Sequence, residues 1–352
     1  MINLVRFLVI LLVGMATGLE ASQPKKKNIA MSVECRLFLD LITREQVYYS
    51  SQPKLLKTFV VGFNNNPTFN PYTKQLVMTR VFNSMATLVD FETETVVKRW
   101  LQKDEDALFS PNGTKVAFFS QGILSSIQDL KAQSSLIREE DSLSESEDLK
   151  AITKACFSAD GEWLVVGDEK GAVVVLEAGS LNVLHQLSPT NTFNGPISSV
   201  AISADKSKLI MGNKNGNIKI YSIKEGKSTT FGSEKTLIAD SAFSPDGKKV
   251  AVAYGDKVKV LDVNAFKRLY TLQESSKKQS LPNSILSVAF SPDGKKIATG
   301  SYEKSVKLWD SVTGKQLSTL EDTEPVDAVH FDPFASDQLY TVTNKTVKLW
   351  TF

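Results

Sequence analysis

An all-β fold, a seven-bladed β-propeller of four-stranded blades with an N-terminal strand closing the last blade, is predicted for this 352-residue sequence by three observations. The first is a tile: "VAFSPDGKKIATGSYEKSVKLWDSVTGKQLSTL" at residues 288–320 returns about 47 residues earlier as "SAFSPDGKKVAVAYGDKVKVLDVNAFKRLYTL". The second is that weaker copies continue toward the N-terminus, making seven in all. The third is that the last copy stops one strand short, so an earlier segment must complete it.

Each tile is anchored by the last apolar residue of one strand, a polar turn, and an apolar residue that opens the next strand. The anchors are Phe69 ("FNPYTKQL"), Phe109 ("FSPNGTKV"), Phe157 ("FSADGEWL"), Ile202 ("ISADKSKL"), Phe243 ("FSPDGKKV"), Phe290 ("FSPDGKKI") and Phe331 ("FDPFASDQL"). Their separations run from 40 to 48 residues. A second landmark follows each anchor by 18 to 20 residues, at Val89-Asp90, Gln128-Asp129, Leu176-Glu177, Tyr221-Ser222, Leu261-Asp262, Trp309-Asp310 and Trp350. A tile therefore reads as four short strands rich in β-branched and aromatic residues, separated by Pro, Asp, Gly and Asn turns. Four strands per unit, repeating in the low forties, mark a propeller blade.

"VAFSPDGKKIATGSYEKSVKLWDSVTGKQL" resembles a WD40 repeat, and "AVHFDPFASDQLYTVTNKTVKLWTF" resembles a second one cut short. The resemblance extends over about residues 30 to 352, strong in the sixth and seventh tiles, fair in the third to fifth and weak in the first two. Two features of such repeats are missing: no tile carries a Gly-His pair before its first strand, and the turn before the third strand of the sixth tile has Glu303 where an Asp is usual. The hydrogen-bonded His/Ser/Asp/Trp network that the resemblance implies is therefore expected to be absent or replaced.

The final tile ends at "VKLWTF", its third strand. In "RLFLDLITREQVYYS", Leu39-Asp40 aligns with Trp309-Asp310 and Thr43 with Thr313, which assigns the closing fourth strand to Gln46–Ser50. Such a closure removes an exposed sheet edge.

Ahead of the tiles, residues 1–21 have the form of a secretory signal peptide. A short head carries Arg6, an apolar run extends from Phe7 to about Met15, and small residues follow at Ala16, Gly18 and Ala21. Cleavage after Gly18 or Ala21 would send the mature chain into the secretory pathway or out of the cell, and the apolar run is too short to anchor it. Residues 22–29 form a basic linker in which Lys25, Lys26 and Lys27 oppose insertion in the usual orientation. Met31 offers an alternative start, which would leave the protein in the cytoplasm. No other stretch is long or apolar enough to span a membrane.

Composition limits the chemistry. The 41 basic and 39 acidic side chains nearly cancel, which argues against a polyanion binder. Cys35 and Cys156 are the only cysteines, better read as two buried free thiols than as one bridge. His185 and His330 are the only histidines; the former falls on an outer strand and the latter inside a strand, where a structural role is the default. No G-x-S-x-G, H-E-x-x-H or Walker-type loop occurs, so no catalytic residue, metal ligand or cofactor site is assigned.

The repeated Asp-Gly turns lack the alternating carboxylates of a calcium loop and suit tight turns between strands. Lysines in these first hairpins are more notable as a set: Lys74, Lys115, Lys206, Lys208, Lys248, Lys249, Lys295 and Lys296. The hairpins between third and fourth strands open on the same propeller face and add Lys224, Lys227, Lys267, Arg268 and Lys315. Lys248, Lys249, Lys295, Lys296 and Lys315 form the candidate basic partner-binding face, weighed against ordinary solubilising lysines. Asn112 and Asn344 match the N-glycosylation pattern. Ser142, Ser144 and Ser146 lie in an acidic, serine-rich loop at about 137–150, a candidate phosphorylation segment or a plain solvated loop.

The expectation is a non-enzymatic protein-interaction scaffold: a monomeric propeller that enters the secretory pathway, binds one or more proteins and does not bind nucleic acid. Two alternatives stay open. One is a secreted propeller enzyme with carboxylates at the central channel, and the other is a cytosolic adaptor whose leader has been misread.

Overall fold

In the computed structural model, the structure describes residues 53–61, 65–80, 85–101, 106–132, 134–137, 151–190, 193–231, 234–273 and 285–352. The chain divides into two units, Met1–Ser51 and Gln52–Phe352, and every described residue belongs to the second. The segments 1–21 and 22–29, Cys35 and Met31 therefore lie outside the described residues.

Among the described residues, 28 strands form seven sheets of four, the blades of a seven-bladed propeller. Blades are numbered 1 to 7 by the chain order of their inner strands, and strands run a to d outward from the channel. The a strands are Asn65–Asn70, Asp106–Phe109, Ile152–Phe157, Ile197–Ile202, Ile238–Phe243, Ile285–Phe290 and Ala328–Asp332. Every predicted anchor closes, or nearly closes, one of them.

Burial follows the position of each strand. Strand b of blade 5, Lys249–Tyr254, is buried from its second residue to its last, because sheets pack on both of its faces. Strand d of the same blade, Lys267–Gln273, is exposed at most positions, with lysine and arginine at its start. Such short, charged outer strands protect the rim of the ring from edge-to-edge pairing.

Neighbouring blades are joined in two ways. Side chains on the a strands reach the next blade: Thr153 Oγ1 donates to the Ile197 carbonyl (2.6 Å), Ser198 Oγ to the Ile238 carbonyl (2.6 Å), and the Val288 amide to Asp240 Oδ2 (3.0 Å). Glycines near the ends of b strands also let the next a strand approach closely. A Cβ on Gly212 would lie 2.3 Å from Ile238 Cγ2, and one on Gly167 would lie 2.5 Å from Ile197 Cγ2.

The strand that completes blade 7 corrects the expectation. Lys54–Val60 pairs antiparallel with the last strand, Thr346–Thr351, in a register running from Lys54↔Thr351 to Val60↔Thr346. Gln46–Ser50, assigned that role from the sequence, lies outside the described residues, and its place is filled by a later segment. The misassignment came from counting forward from a weak landmark. Counting back from the anchors works: strand d of blade 6, Gln316–Glu321, ends ten residues before Phe331, and Lys54–Val60 ends nine before Phe69.

Closure brings the two ends of the described chain together over an aromatic cluster. Phe69 lies 4.6 Å from Tyr340 and 5.5 Å from Phe91, and Phe91 lies 5.7 Å from Tyr340 and 6.3 Å from Phe59, centroid to centroid. Tyr340 and Phe91 are each only 1% exposed.

The implied network survives in part with different members. Trp309 Nε1 donates to Thr299 Oγ1 (3.1 Å) and Trp350 Nε1 to Thr341 Oγ1 (3.0 Å). In blade 7 Thr341 passes its own proton to Asp322 Oδ2 (3.4 Å), and Lys348 Nζ lies 2.6 Å from Asp322 Oδ1. The chain from tryptophan to acid is thus made through threonine alone, without a histidine, and Lys348 pairs with the acid at its end. Thr341→Val removes the hydroxyl that accepts from the Trp350 indole and is expected to destabilise the propeller by about 1–3 kcal/mol, the cost of an orphaned buried donor. Urea unfolding measures this, and a change below about 0.5 kcal/mol would show that water replaces the hydroxyl.

Candidate interaction face

The hairpins between strands a and b and those between c and d open on one face, and main-chain hydrogen bonds tie each pair together. The Phe91 amide donates to Lys74 O (2.8 Å), Val263 to Lys248 O (2.9 Å), Ser311 to Lys295 O (2.8 Å) and Phe352 to Asp337 O (3.0 Å). The same contact joins Leu130 to Thr114, Ala178 to Glu162 and Ile223 to Ser207.

The Ser-x-Asp turns that recur in the sequence have a structural task. In blade 6 Ser291 Oγ donates to Asp293 Oδ1 (2.6 Å) and accepts the Lys296 amide (2.9 Å), while Asp293 Oδ1 accepts the Lys295 amide (3.1 Å). Blades 4 and 5 repeat the Ser-to-Asp bond at 2.6 Å through Ser203-Asp205 and Ser244-Asp246. Blade 3 uses Ser158-Asp160, and blade 2 uses Ser110-Asn112 at 2.7 Å. Hydrogen bonds from the serines lead the forces that hold Asp205 and Asp246 below the usual carboxylate range. Burial pushes Asp160 up, but bonds from Lys206, Ser158 and the Glu162 amide outweigh it and bring the carboxyl down to about 2.

The candidate lysines divide into two groups. Lys249 donates to the Ser311 carbonyl (2.9 Å), and Lys296 donates to Ser336 O (3.2 Å) while lying over the Phe352 ring at 4.9 Å. Both therefore join their own blade to the next. Lys208 reaches Asn264 (3.0 Å), Lys115 pairs with Glu162 (3.3 Å), Lys206 with Asp160 and Lys74 with Glu92 (2.6 Å). Lys248, Lys295 and Lys315 remain exposed, as do Lys224, Lys227, Lys267 and Arg268. The turn aspartates alternate with these lysines, so the face presents both signs of charge.

Counting lysines passes over the apolar side chains on this face. Phe334 is 80% exposed, Val312 70% and Tyr72 49%, all of them in hairpin turns. Their signal in the sequence is positional: Tyr72 and Phe334 stand where the other tiles have Asp or Asn.

The remaining candidates are dispersed. Asn112 is committed within its turn, since Oδ1 accepts from Ser110 Oγ and Thr114 Oγ1 and Nδ2 donates to the Asp160 carbonyl of blade 3. Asn344 is exposed in the b–c turn of blade 7, at the opposite end of the propeller. Ile137 ends a short outer strand, Ser135–Ile137, and residues 138–150 with Ser142, Ser144 and Ser146 lie outside the described residues.

Cys156 is a free thiol on the a strand of blade 3, and burial pushes it up to about 12, so it stays protonated and unreactive. His330 lies on the a strand of blade 7, 6.5 Å from Phe69, where burial lowers it to about 4. His185 packs beside Trp163 on an outer strand, 6.0 Å between centroids. Among the described residues no three His, Cys, Asp or Glu side chains come together as a metal would need, and no helix is long and apolar enough to cross a membrane.

Comparison with known proteins points in one direction. The family model described as "WD domain, G-beta repeat" matches residues 187–222 and 269–310. The chain is 28% identical over 171 residues to a human U3 small nucleolar RNA-associated protein 4 homolog, an alignment covering 46% of this chain and 24% of that protein. It is 25% identical over 211 residues to Eukaryotic translation initiation factor 3 subunit I of Aspergillus oryzae, covering 57% of this chain and 62% of the relative. WD repeat-containing protein SL1-17 of Schistosoma mansoni is 30% identical over 108 residues, covering 30% of this chain and 35% of its own length. The alignments thus span between about a quarter and three fifths of these relatives.

Proposed function

The chain belongs to the WD40-repeat family, and from that premise we propose that it works as a non-enzymatic scaffold that holds protein partners. The observation that carries this reading is the division of labour on the hairpin face. There the recurrent serines and aspartates hold the turns and Lys249 and Lys296 join blades, while Phe334, Val312 and Tyr72 stand in solvent among exposed lysines. Loops on a closed, rigid ring are where binding specificity accumulates. A relative named as a subunit of a translation initiation factor supports a place in an assembly.

In this reading the propeller enters the assembly as a single copy. Tagged at its C-terminus and purified gently from its own cells, the protein is expected to elute with stoichiometric partners at a mass well above its own 38.7 kDa. Elution at that mass alone, under low-salt conditions, would sink the scaffold reading.

The proposal also places the mature chain in the secretory pathway, on the strength of the leader-like residues 1–21. Mass spectrometry of the same material is expected to find an N-terminus at Leu19 or Ser22. A start at Met1 or Met31 would favour the second reading, a cytosolic adaptor, which is supported by relatives named for nucleolar RNA and translation initiation.

A further inference from the structure

Blades 1 and 7, which meet at the closing seam, abandon the Ser-x-Asp turn of blades 3 to 6, and its Ser-x-Asn form in blade 2, in the same way. The serine position holds Asn70 and Asp332, 1% and 3% exposed, and the acid position holds Tyr72 and Phe334. Asn70 Oδ1 accepts the Tyr72 and Thr73 amides (2.8 and 3.2 Å), and its Nδ2 donates to the Ser110 carbonyl of blade 2 (2.7 Å). Asp332 Oδ1 accepts the Phe334 amide (2.8 Å), and its Oδ2 accepts the Tyr340 hydroxyl (3.3 Å).

The acceptor that holds the turn has moved two residues back into the buried position, which frees the outer position from structural duty. In both blades that freed position carries a large aromatic ring in solvent. The two rings meet edge to face across the seam, 6.2 Å apart and at 82°. Stability does not call for them, because asparagine serves the same position in blade 2. Adjacent exposed aromatics on a rigid frame have the make-up of a binding hot spot.

Charge identifies the occupant. Lys296 bonds the Ser336 carbonyl, so the blade 6 turn lies against the turn that carries Phe334. Its neighbour Lys295 has a side chain 74% exposed and only a 3.9 Å contact with Asp293 Oδ2. Lys315 is exposed on the other hairpin of the same blade. On the opposite flank, Lys74 is already neutralised by Glu92 at 2.6 Å. Among the described residues, the aromatic pair thus has weakly engaged, exposed ammonium groups on its blade 6 side.

We infer that Tyr72 and Phe334 anchor a segment of a partner protein that seats an apolar side chain on the two rings and runs its carboxylates toward Lys295 and Lys315 of blade 6. This rests on the scaffold reading and adds to it a surface and a partner chemistry.

The test is to pan a displayed library of random short peptides against the full chain, then measure the enriched peptide, fluorescein-labelled, by anisotropy. Peptides with an apolar residue followed by Asp or Glu are expected. Phe334→Asn and Tyr72→Asn, which restore the residue that blade 2 carries, should each weaken binding about ten-fold or more at an unchanged melting temperature. Lys295→Glu should weaken it several-fold and reduce its salt dependence. Enriched peptides without carboxylates, or binding that survives both asparagine variants, overturn the inference. If binding survives those variants but is lost with Tyr302→Ala, on the opposite end of the ring, the scaffold reading stands and this surface falls. Self-association abolished by Phe334→Asn would overturn it in favour of a second copy.

Discussion

Phe69→Ala is expected to destabilise the propeller by about 3–5 kcal/mol, the range for a buried phenylalanine cut back in a core that cannot collapse around the gap. Phe69 is 4% exposed and touches Tyr340 of blade 7 and Phe91 of its own blade at once, so its removal opens both sides of the seam. The strand that closes blade 7 comes from the far end of the described chain, which leaves that seam dependent on pairing between Lys54–Val60 and Thr346–Thr351 and on the aromatic cluster beneath. In each of the other blades the four strands are consecutive in the chain. Denaturant unfolding of Phe69→Ala beside Phe334→Ala supplies the comparison. The second residue is 80% exposed and is expected to change stability by no more than about 0.5 kcal/mol. Amide exchange should show the Lys54–Val60 amides opening first in Phe69→Ala. Equal stabilities for the two variants, or protection unchanged at that strand, would mean that the aromatic cluster does not hold the ring shut.

The parts of the fold that were legible in the sequence are those where one residue type has one local task. Phe109, Phe157, Phe243 and Phe290 each end an a strand just before a turn whose Ser and Asp (Asn after Phe109) satisfy its backbone, so phase and period could be read together. The closing strand was misplaced because "KLLKTFV" has neither a turn of that kind nor a tryptophan, and only its distance from the next anchor reveals it. The hairpin face was half legible. The sequence places the lysines in the a–b and c–d hairpins, yet which of them face solvent depends on contacts with the next blade, as Lys249 and Ser311 show at a separation of 62 residues. Tyr72 and Phe334 read as ordinary turn residues until the bonds of Asn70 and Asp332 show what those positions no longer have to do.

His330 makes the ring sensitive to mild acid, in a window separate from that of the turn aspartates. Burial brings its imidazole from an ordinary 6.5 down to about 4, because the charged form is desolvated on the a strand of blade 7 beside Phe69. Above pH 6.5 the ring is neutral whether the chain is folded or not, and it contributes no pH dependence. Between 6.5 and about 4 the unfolded chain takes up a proton that the native state refuses, so stability falls as pH falls. Below about 4 both states are protonated and the slope from this residue ends. The full shift corresponds to at most about 3 kcal/mol. The turn aspartates act lower: Asp160, held at about 2, adds stability that is complete above its ordinary 3.8 and is lost as pH drops through 2. His330→Phe should therefore abolish the slope between pH 6.5 and 4 while leaving the loss below pH 4 in place. Stability measured by urea at close pH intervals separates the two. A variant that kept the upper slope would assign it to other groups, and an imidazole NMR titration of His330 with a midpoint near 6.5 would show that the channel wall does not shield it.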